Sequence, residues 1–254
     1  MLTQHHLELI VYKTYADLKA ETAKTYIGFI WWLLDPLLFM LTFYVVFELL
    51  LRQGTPDFIP FLLVGLITWR WFQNTVAHGA GAILQNRELM RQIYLPKIVF
   101  PLVTVLTDLV KFSLVFLILL LFLSVTGHPP GASYLALPLV LATEFLLIVA
   151  LTCLTSAVVP FLPDLRILIE HGLHMLFFVS GIFFSSSQVP QPLHWLLYLN
   201  PMAGLIEAYR DILIRDQWPQ LGLLSGIAGA AALACWGAYR LLTRYDHVYA
   251  KVVR

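Results

Sequence analysis

The chain has 254 residues, of which 59% are apolar and 12% are charged. Soluble domains carry about 25% charged residues, so this composition excludes an ordinary soluble protein, and its hydrophobicity excludes a disordered one. A membrane-crossing helix needs about 20 apolar residues, so the chain has room for roughly six crossings and, we expect, no separate soluble catalytic domain. The net charge of +1 predicts no nucleic-acid partner.

Residues 1–25 are predicted to form an interface helix, with an amphipathic pattern over residues 4–24. One stripe recurs at spacings of three and four, and charged side chains occupy the remaining surface. The stripe consists of Leu7, Ile10, Val11, Thr14 and Leu18. This pattern favours a helix that lies at the membrane surface. A short soluble helix packed against its neighbours is the alternative.

Six apolar runs follow and predict an all-α, polytopic membrane protein with a single transmembrane domain over residues 1–254. The runs cover about 26–51, 58–79, 98–125, 134–161, 167–184 and 221–242. Spans 1 to 5 therefore occupy residues 26–184, and a polar, basic tail covers residues 243–254. Cys153 and Cys235 both lie inside apolar runs, so we expect no disulfide.

Residues 185–220 differ from the six runs, because serines, prolines and an Asn-Pro pair divide them into pieces too short to cross a bilayer. Irregular backbone at membrane depth survives only where it is buried in protein or lines a cavity. The segment is predicted to form short, gate-like helices that enter the membrane and return. A plain external loop with surface helices is the alternative.

The distribution of basic residues predicts the orientation. Six spans place both termini on one side of the membrane, and Lys and Arg concentrate in cytoplasmic loops. With the N-terminus inside, the inside segments hold eleven Lys and Arg residues and the outside segments three. Both termini are therefore predicted to be cytoplasmic, which makes residues 185–220 extracytoplasmic.

Motifs of soluble catalysis are absent from the sequence. It contains neither the phosphate-binding loop of an ATPase nor a zinc motif of the usual spacing. His171 and His174 share a helix face, but no third ligand is near them in sequence. We expect no catalytic residue, no metal site and no cofactor on this chain.

Five ionisable residues lie inside the predicted spans: Asp35, Arg70, Asp108, Lys111 and Glu144. Such charges usually face a bundle interior or a water-filled cavity. Asp108 and Lys111 are three residues apart on one helix and can pair locally. Arg70 can pair with Asp35 or with Glu144, and the sequence does not choose between them. A proton relay is the functional alternative to structural pairing.

Aromatic residues recur at helical spacing in two spans. Span 1 carries Trp32, Pro36, Phe39, Phe43 and Phe47, and span 5 carries His174, Phe177, Gly181 and Phe184. Such stripes are typical of helix-packing faces or interface belts. They could also line a pore for a sugar chain, because the C–H faces of sugars rest well on aromatic rings.

A charged stretch over residues 87–97, between spans 2 and 3, is predicted to be a short cytoplasmic helix. It could dock a soluble partner, as the N-terminal helix could. A solvated loop that obeys the positive-inside rule is the alternative.

Four motifs together resemble the membrane subunit of type-2 ABC exporters, and most of all the polysaccharide exporters of O-antigen, capsule and teichoic acid. The first motif, residues 27–37, is similar to the Gly-x-x-Trp and Pro-Leu opening of the family's span 1. The second runs from Asn86 to Pro101. The third is residues 163–166 with the aromatic end of span 5, and the fourth is residues 199–201 with Glu207, Tyr209 and Arg210. The tail departs from the family pattern, since Lys251 stands where an acidic residue is common.

The resemblance implies two copies of this chain around a pore, a homodimer, with two separate ATPase subunits on the cytoplasmic face. ATP and Mg²⁺ would be bound by those partners. The implied substrate is a lipid-linked polysaccharide, moved from the cytoplasm to the periplasm across the bacterial inner membrane. Export of a drug, a lipid or haem is the alternative within the family, and proton-coupled secondary transport is the alternative outside it.

The resemblance also implies roles for particular residues. The N-terminal helix and residues 86–97 would dock the ATPase, and residues 163–166 would make a lesser contact. The docking residues are expected to be Asn86, Arg87, Glu88, Arg91, Tyr94 and Lys97. Spans 1 and 5 would line the substrate path, with Trp32, Phe39, Phe43, Phe177 and Phe184 as the lining residues, and residues 185–220 would form the external gate.

Overall fold

The computed structural model describes residues 4–24, 26–50, 57–185, 189–190 and 199–252. Most of the residues between spans 1 and 2, and part of the interrupted segment 185–220, lie outside these ranges. All regular secondary structure in the described ranges is helical, which confirms the all-α fold class.

Eleven α-helices are found in the described residues, joined by one π-helical and one 3₁₀ segment. In chain order they are α1 (Gln4–Ala23), α2 (Ile30–Tyr44) with the π-helical turn Val45–Leu50, α3 (Phe58–Ala80), α4 (Ala82–Gln85), α5 (Arg87–Gln92), α6 (Val99–Val125), the 3₁₀ helix Ala132–Ala136, α7 (Leu137–Val158), α8 (Asp164–Val179), α9 (Pro201–Leu213), α10 (Leu221–Arg244) and α11 (Asp246–Val252).

Three helical segments of the described chain are long and apolar enough to cross a membrane: Val99–Val125, Ala132–Val158 and Leu221–Arg244. A shorter apolar helix covers Ile30–Tyr44. The helices of spans 2, 3 and 6 match their predicted bounds within about two residues, because long apolar runs fix helix length in a bilayer. The count of six crossings stays a prediction.

The end of span 5 differs from its prediction. Helix α8 begins earlier than expected, at Asp164, and ends at Val179 instead of residue 184. Gly181 follows with a backbone φ of +72°. Only glycine adopts this left-handed conformation without a penalty, so the chain turns there and Phe184 lies beyond the helix.

Helix α3 forms the centre of the fold. Its Leu62, Leu66 and Trp69 side chains are fully buried, and the helix packs against α6, α7, α8 and α9. Helix α10 lies along α7 on the outside of this core. The first half of α3, Phe58–Trp69, carries no charged side chain and is almost wholly buried, which explains the central place of α3.

Helix α1 confirms the predicted N-terminal helix and lies along the start of α6. Ile10 is buried there and packs with Val99 and Val103. Leu7 and Val11, from the same predicted stripe, are exposed. Part of the stripe therefore packs on the chain itself, and part faces outward.

Helix α9 lies in the interrupted segment 185–220. The Asn200 side chain caps it by accepting a hydrogen bond from the Met202 backbone N–H at 3.1 Å, as expected for an N-cap residue. The Asn200 amide also donates to Ser180 Oγ at 2.8 Å. The helix is packed against α3 and α7, so it is part of the bundle. Its depth in a membrane stays a prediction.

Candidate functional site

A network of charged side chains joins α1, α3 and α6. Asp108 Oδ1 pairs with Lys111 Nζ at 3.1 Å, which confirms the predicted local pair. Lys111 Nζ also lies 2.5 Å from Glu21 Oε2, and His78 Nδ1 lies 2.8 Å from Asp108 Oδ2. Buried charges are retained where partners compensate them, so this network fixes the end of α1 against the two central helices.

Arg70 takes Asp35 as its partner, which settles the pairing that the sequence left open. Its NH2 lies 3.3 Å from Asp35 Oδ2, and its guanidinium lies 3.8 Å from the centre of the Phe39 ring. Asp35 and Phe39 are four residues apart on α2 and so share one face. Glu144 instead accepts a hydrogen bond at 2.7 Å from the buried Tyr209 hydroxyl on α9.

A cavity of about 330 Å³ lies among these groups, between the end of α1 and helices α2, α3 and α6. Trp31, Trp32 and Trp71 supply aromatic walls, and the Trp32 indole N–H donates to Glu21 Oε1 at 3.3 Å. The charged lining has both signs: Glu21, Asp35 and Asp108 are acidic, Arg70 and Lys111 are basic, and the His78 imidazole lies beside them. The cavity therefore combines aromatic walls with charged side chains that are paired with one another.

The predicted aromatic residues of spans 1 and 5 form one cluster. Phe43 contacts Phe39, Phe177 and Phe183, with ring centroids 6.3, 6.1 and 4.4 Å apart. Phe177 also packs on Trp69 of α3, at 6.2 Å. These rings therefore pack helix on helix within one chain.

The remaining members of the two stripes lie elsewhere or are not described. Trp32 lies in the charged cavity, apart from the cluster. Phe184 is half-buried after the turn at Gly181, and the side chain of Phe47 lies outside the described set. Lining of a substrate path by any of these residues stays a prediction.

The predicted charged helix over 87–97 is shorter than expected. Helix α5 ends at Gln92, and Ile93 is extended, with φ of −139° and ψ of 147°. The residue before a proline disfavours helix, so Pro96 prevents Leu95 from continuing one. Arg87, Glu88 and Arg91 are exposed, and Glu88 Oε1 lies 3.5 and 3.6 Å from the two guanidinium groups. Asn86 is half-buried, and its amide donates to Ala82 O at 2.8 Å.

Lys97 faces inward. It is 2% exposed, and its Nζ donates to Leu95 O at 2.8 Å. Burial lowers the pKa of Lys97, and the nearby charge of Asp246 opposes this effect. Its ammonium is therefore turned away from a soluble partner, whereas Tyr94 remains exposed at the surface.

Sequence reasoning missed the role of the tail, which forms α11. The Asp246 carboxylate accepts from the Tyr94 hydroxyl at 2.6 Å and from the Lys97 backbone N–H at 2.8 Å. The hydrogen bond to Asp246 raises the pKa of Tyr94. The fully buried Tyr249 hydroxyl donates to Ala157 O at 2.9 Å. The available signal in the sequence for this helix was an acidic residue, Asp246, followed three positions later by an aromatic one, Tyr249.

The sequence did not indicate the central place of Arg210, which lies in the segment predicted to be extracytoplasmic. Its side chain is 1% exposed. NH1 donates to Gly181 O at 2.6 Å, and NH2 donates to Ile182 O at 2.9 Å and to Phe61 O at 3.2 Å. One guanidinium thus joins α9 to the end of α8 and the start of α3.

Within the described ranges, no group of three His, Cys, Asp or Glu side chains is placed to hold a metal ion. His171 and His174 are both exposed on α8.

Comparison with known proteins identifies the class. The family profile described as ABC-2 type transporter matches residues 14–214. The chain belongs to this family, and it is a multi-pass membrane protein and a transport subunit.

Several characterised proteins are similar over most of the chain. An O-antigen export system permease protein RfbA of Myxococcus xanthus is 29% identical over 232 residues, which is 91% of this chain and 89% of the relative. A protein of the same name from Klebsiella pneumoniae is 27% identical over 81% of this chain and 80% of its own length. The polysialic acid transport protein KpsM of Escherichia coli is 23% identical over 77% of each chain.

Proposed function

We propose that this chain is the channel-forming permease of an ATP-driven exporter that moves a lipid-linked polysaccharide of the O-antigen type from the cytoplasm to the periplasm. The observation that carries the proposal is the similarity, over most of both chains, to proteins named as O-antigen export permeases. Family membership supports the exporter class. The polysaccharide named in the KpsM relative favours a glycan over a drug, a lipid or haem.

The energy source in this proposal is a separate ATPase that docks on the cytoplasmic side. The exposed charges of α5 and the outward face of α1 suit that contact. Two ATPase subunits would bind two copies of the chain, with ATP and Mg²⁺ held by the ATPases. The protein would lie in the inner membrane with both termini in the cytoplasm.

The substrate path in this proposal lies between the two copies. Phe39, Phe43 and Phe177 would present their rings to the glycan where the second copy completes the pore, and Phe184 would lie near its external end. Trp32 and the charged cavity would contact a sugar unit on the cytoplasmic side. Ion pairing of Asp35 with Arg70 and of Asp108 with Lys111 favours structural roles for these charges over a proton relay.

A deletion experiment in the native host tests the proposed substrate. Without the chain, we expect lipid-linked glycan to accumulate inside the cell and surface glycan to disappear, with both restored by re-expression. Arg87→Glu with Arg91→Glu should fail to restore export, because reversed charge removes the docking surface while leaving the exposed α5 folded. Unchanged surface glycan, with loss of another exported compound, would contradict the proposal.

A further inference from the structure

The tail helix α11 contacts the docking segment, defined as residues 86–97, through one carboxylate. Asp246 is 9% exposed, and its two oxygens accept from different groups: Tyr94 Oη at 2.6 Å and the Lys97 backbone N–H at 2.8 Å. The Tyr94 ring also stacks on His247, with centroids 5.9 Å apart. Hydrogen bonds to an ionised acceptor are short and strong, so Asp246 fixes both ends of the turn at Tyr94–Lys97.

The opposite side of α11 is buried against the bundle. Tyr249 is fully buried and donates to Ala157 O near the end of α7 at 2.9 Å. Its ring lies 5.2 Å from Phe161. Burial raises its pKa to about 12, so the hydroxyl stays protonated and remains a donor. Tyr249 shares one apolar cluster with Leu95, Cys153 and Leu242.

The docking helix α5 is only partly packed: its Leu89 and Met90 side chains are half-buried against the apolar cluster that contains Tyr249. None of its residues is fully buried, and its charged side chains pair with one another at the surface. A displacement of α5 passes directly along the chain into α6. It reaches α7 and α10 through the apolar cluster that Leu95 shares with them and through α11, which follows α10 at once and bonds to the end of α7.

We propose that Asp246 is a positioning residue for energy coupling, which holds the docking segment to α11 so that ATPase movement reaches α7 and α10 as well as α6. This inference rests on the proposed function. In this arrangement α11 and the docking segment move as one body. Loss of the Asp246 carboxylate weakens this contact to the apolar packing of Leu95 with Tyr249, and ATP hydrolysis then continues without proportionate export.

The test uses the full chain with its ATPase in inverted membrane vesicles, supplied with lipid-linked glycan from the host. For Asp246→Asn we expect ATP hydrolysis near the wild-type rate and export per ATP reduced by roughly fivefold, the size of effect expected of a residue in a coupling network. Lys251→Gln, an exposed change on the same helix, should leave both values unchanged. Tyr249→Phe removes only the hydroxyl and should reduce export per ATP in the same direction.

A second measurement reads the contact itself. Hydrogen exchange of the Lys97 backbone amide should be about tenfold faster or more in Asp246→Asn, because this amide loses a charged acceptor.

If Asp246→Asn does not assemble with the ATPase, the export per ATP of Tyr249→Phe tests the inference in its place. Unchanged export per ATP in an assembled variant would overturn the inference. This includes the case in which export and ATP hydrolysis fall together because less complex is folded. Failure of wild-type vesicles to export glycan would instead overturn the proposed function, and the Lys97 exchange would still report on the Asp246 contact.

Discussion

At the scale of single residues, a few buried polar groups hold the helices together. Asp246, Arg210 and Lys111 each bond to parts of the chain that lie far apart in sequence, for example Tyr94 and Asp246 at a separation of 152 residues. A buried polar group that loses its hydrogen-bond partner costs about 1–3 kcal/mol, and more where the group is charged. Truncating one of these residues is therefore more damaging than changing an exposed charge nearby.

Arg210 and Arg215 form a matched pair for this comparison. Arg210→Ala leaves the Gly181, Ile182 and Phe61 carbonyl groups without their donor, and we expect a loss of about 3 kcal/mol or more. Arg215→Ala removes a more exposed group that pairs with Glu207 and Asp211, which should cost less than about 1 kcal/mol. Thermal unfolding in detergent measures both, and equal losses would contradict the role of Arg210.

The pairing of Asp108 with Lys111 can be tested by a double-mutant cycle. Lys111→Met leaves the Asp108 carboxylate with less compensation, and we expect a loss of about 3–5 kcal/mol. Adding Asp108→Asn should recover part of that loss, because the uncompensated charge disappears. The same unfolding assay measures the coupling. Additive losses in the double variant would show that the two charges act independently.

At the scale of elements, the sequence predicted helices well where a single physical cause sets their length. Apolar runs predicted α3, α6 and α10 nearly residue for residue, and α6 and α10 are long and apolar enough to cross a bilayer. The shortened α5, the early end of α8 and the tail helix were not predicted. Helix α5 ends shortly before the turn at Pro96, and α8 ends shortly before the left-handed Gly181. The tail helix is held by the buried Tyr249, whose hydroxyl donates to Ala157 O.

Two glycines at α8 should respond in opposite directions to alanine. Gly181→Ala places a Cβ on a residue with φ of +72°, and we expect a loss of about 1–2 kcal/mol. Gly172→Ala lies inside the helix, where an added Cβ meets nothing within 4 Å, and should gain about 0.5–1 kcal/mol. Thermal unfolding of both variants checks the sign. A gain at Gly181 would contradict the turn that ends α8.

At the scale of the whole molecule, the candidate site divides into an aromatic cluster, a charged cavity and a docking segment joined to the tail. The sequence indicated most of the site residues by type. It did not indicate which of them are in contact. Trp32, for example, hydrogen-bonds to Glu21 of α1, and the buried Lys97 donates to Leu95 O. Contacts between distant segments depend on how the helices pack, and apolar periodicity does not record that.

The most direct test of the central claim is transport by purified components. Proteoliposomes would contain this chain with its ATPase, this chain alone, or the ATPase alone, each supplied with lipid-linked O-antigen glycan on the side where the ATPase docks. We predict ATP-dependent movement of the glycan to the opposite side only when both proteins are present. Movement by the chain alone, or movement driven by a proton gradient without ATP, would contradict the account.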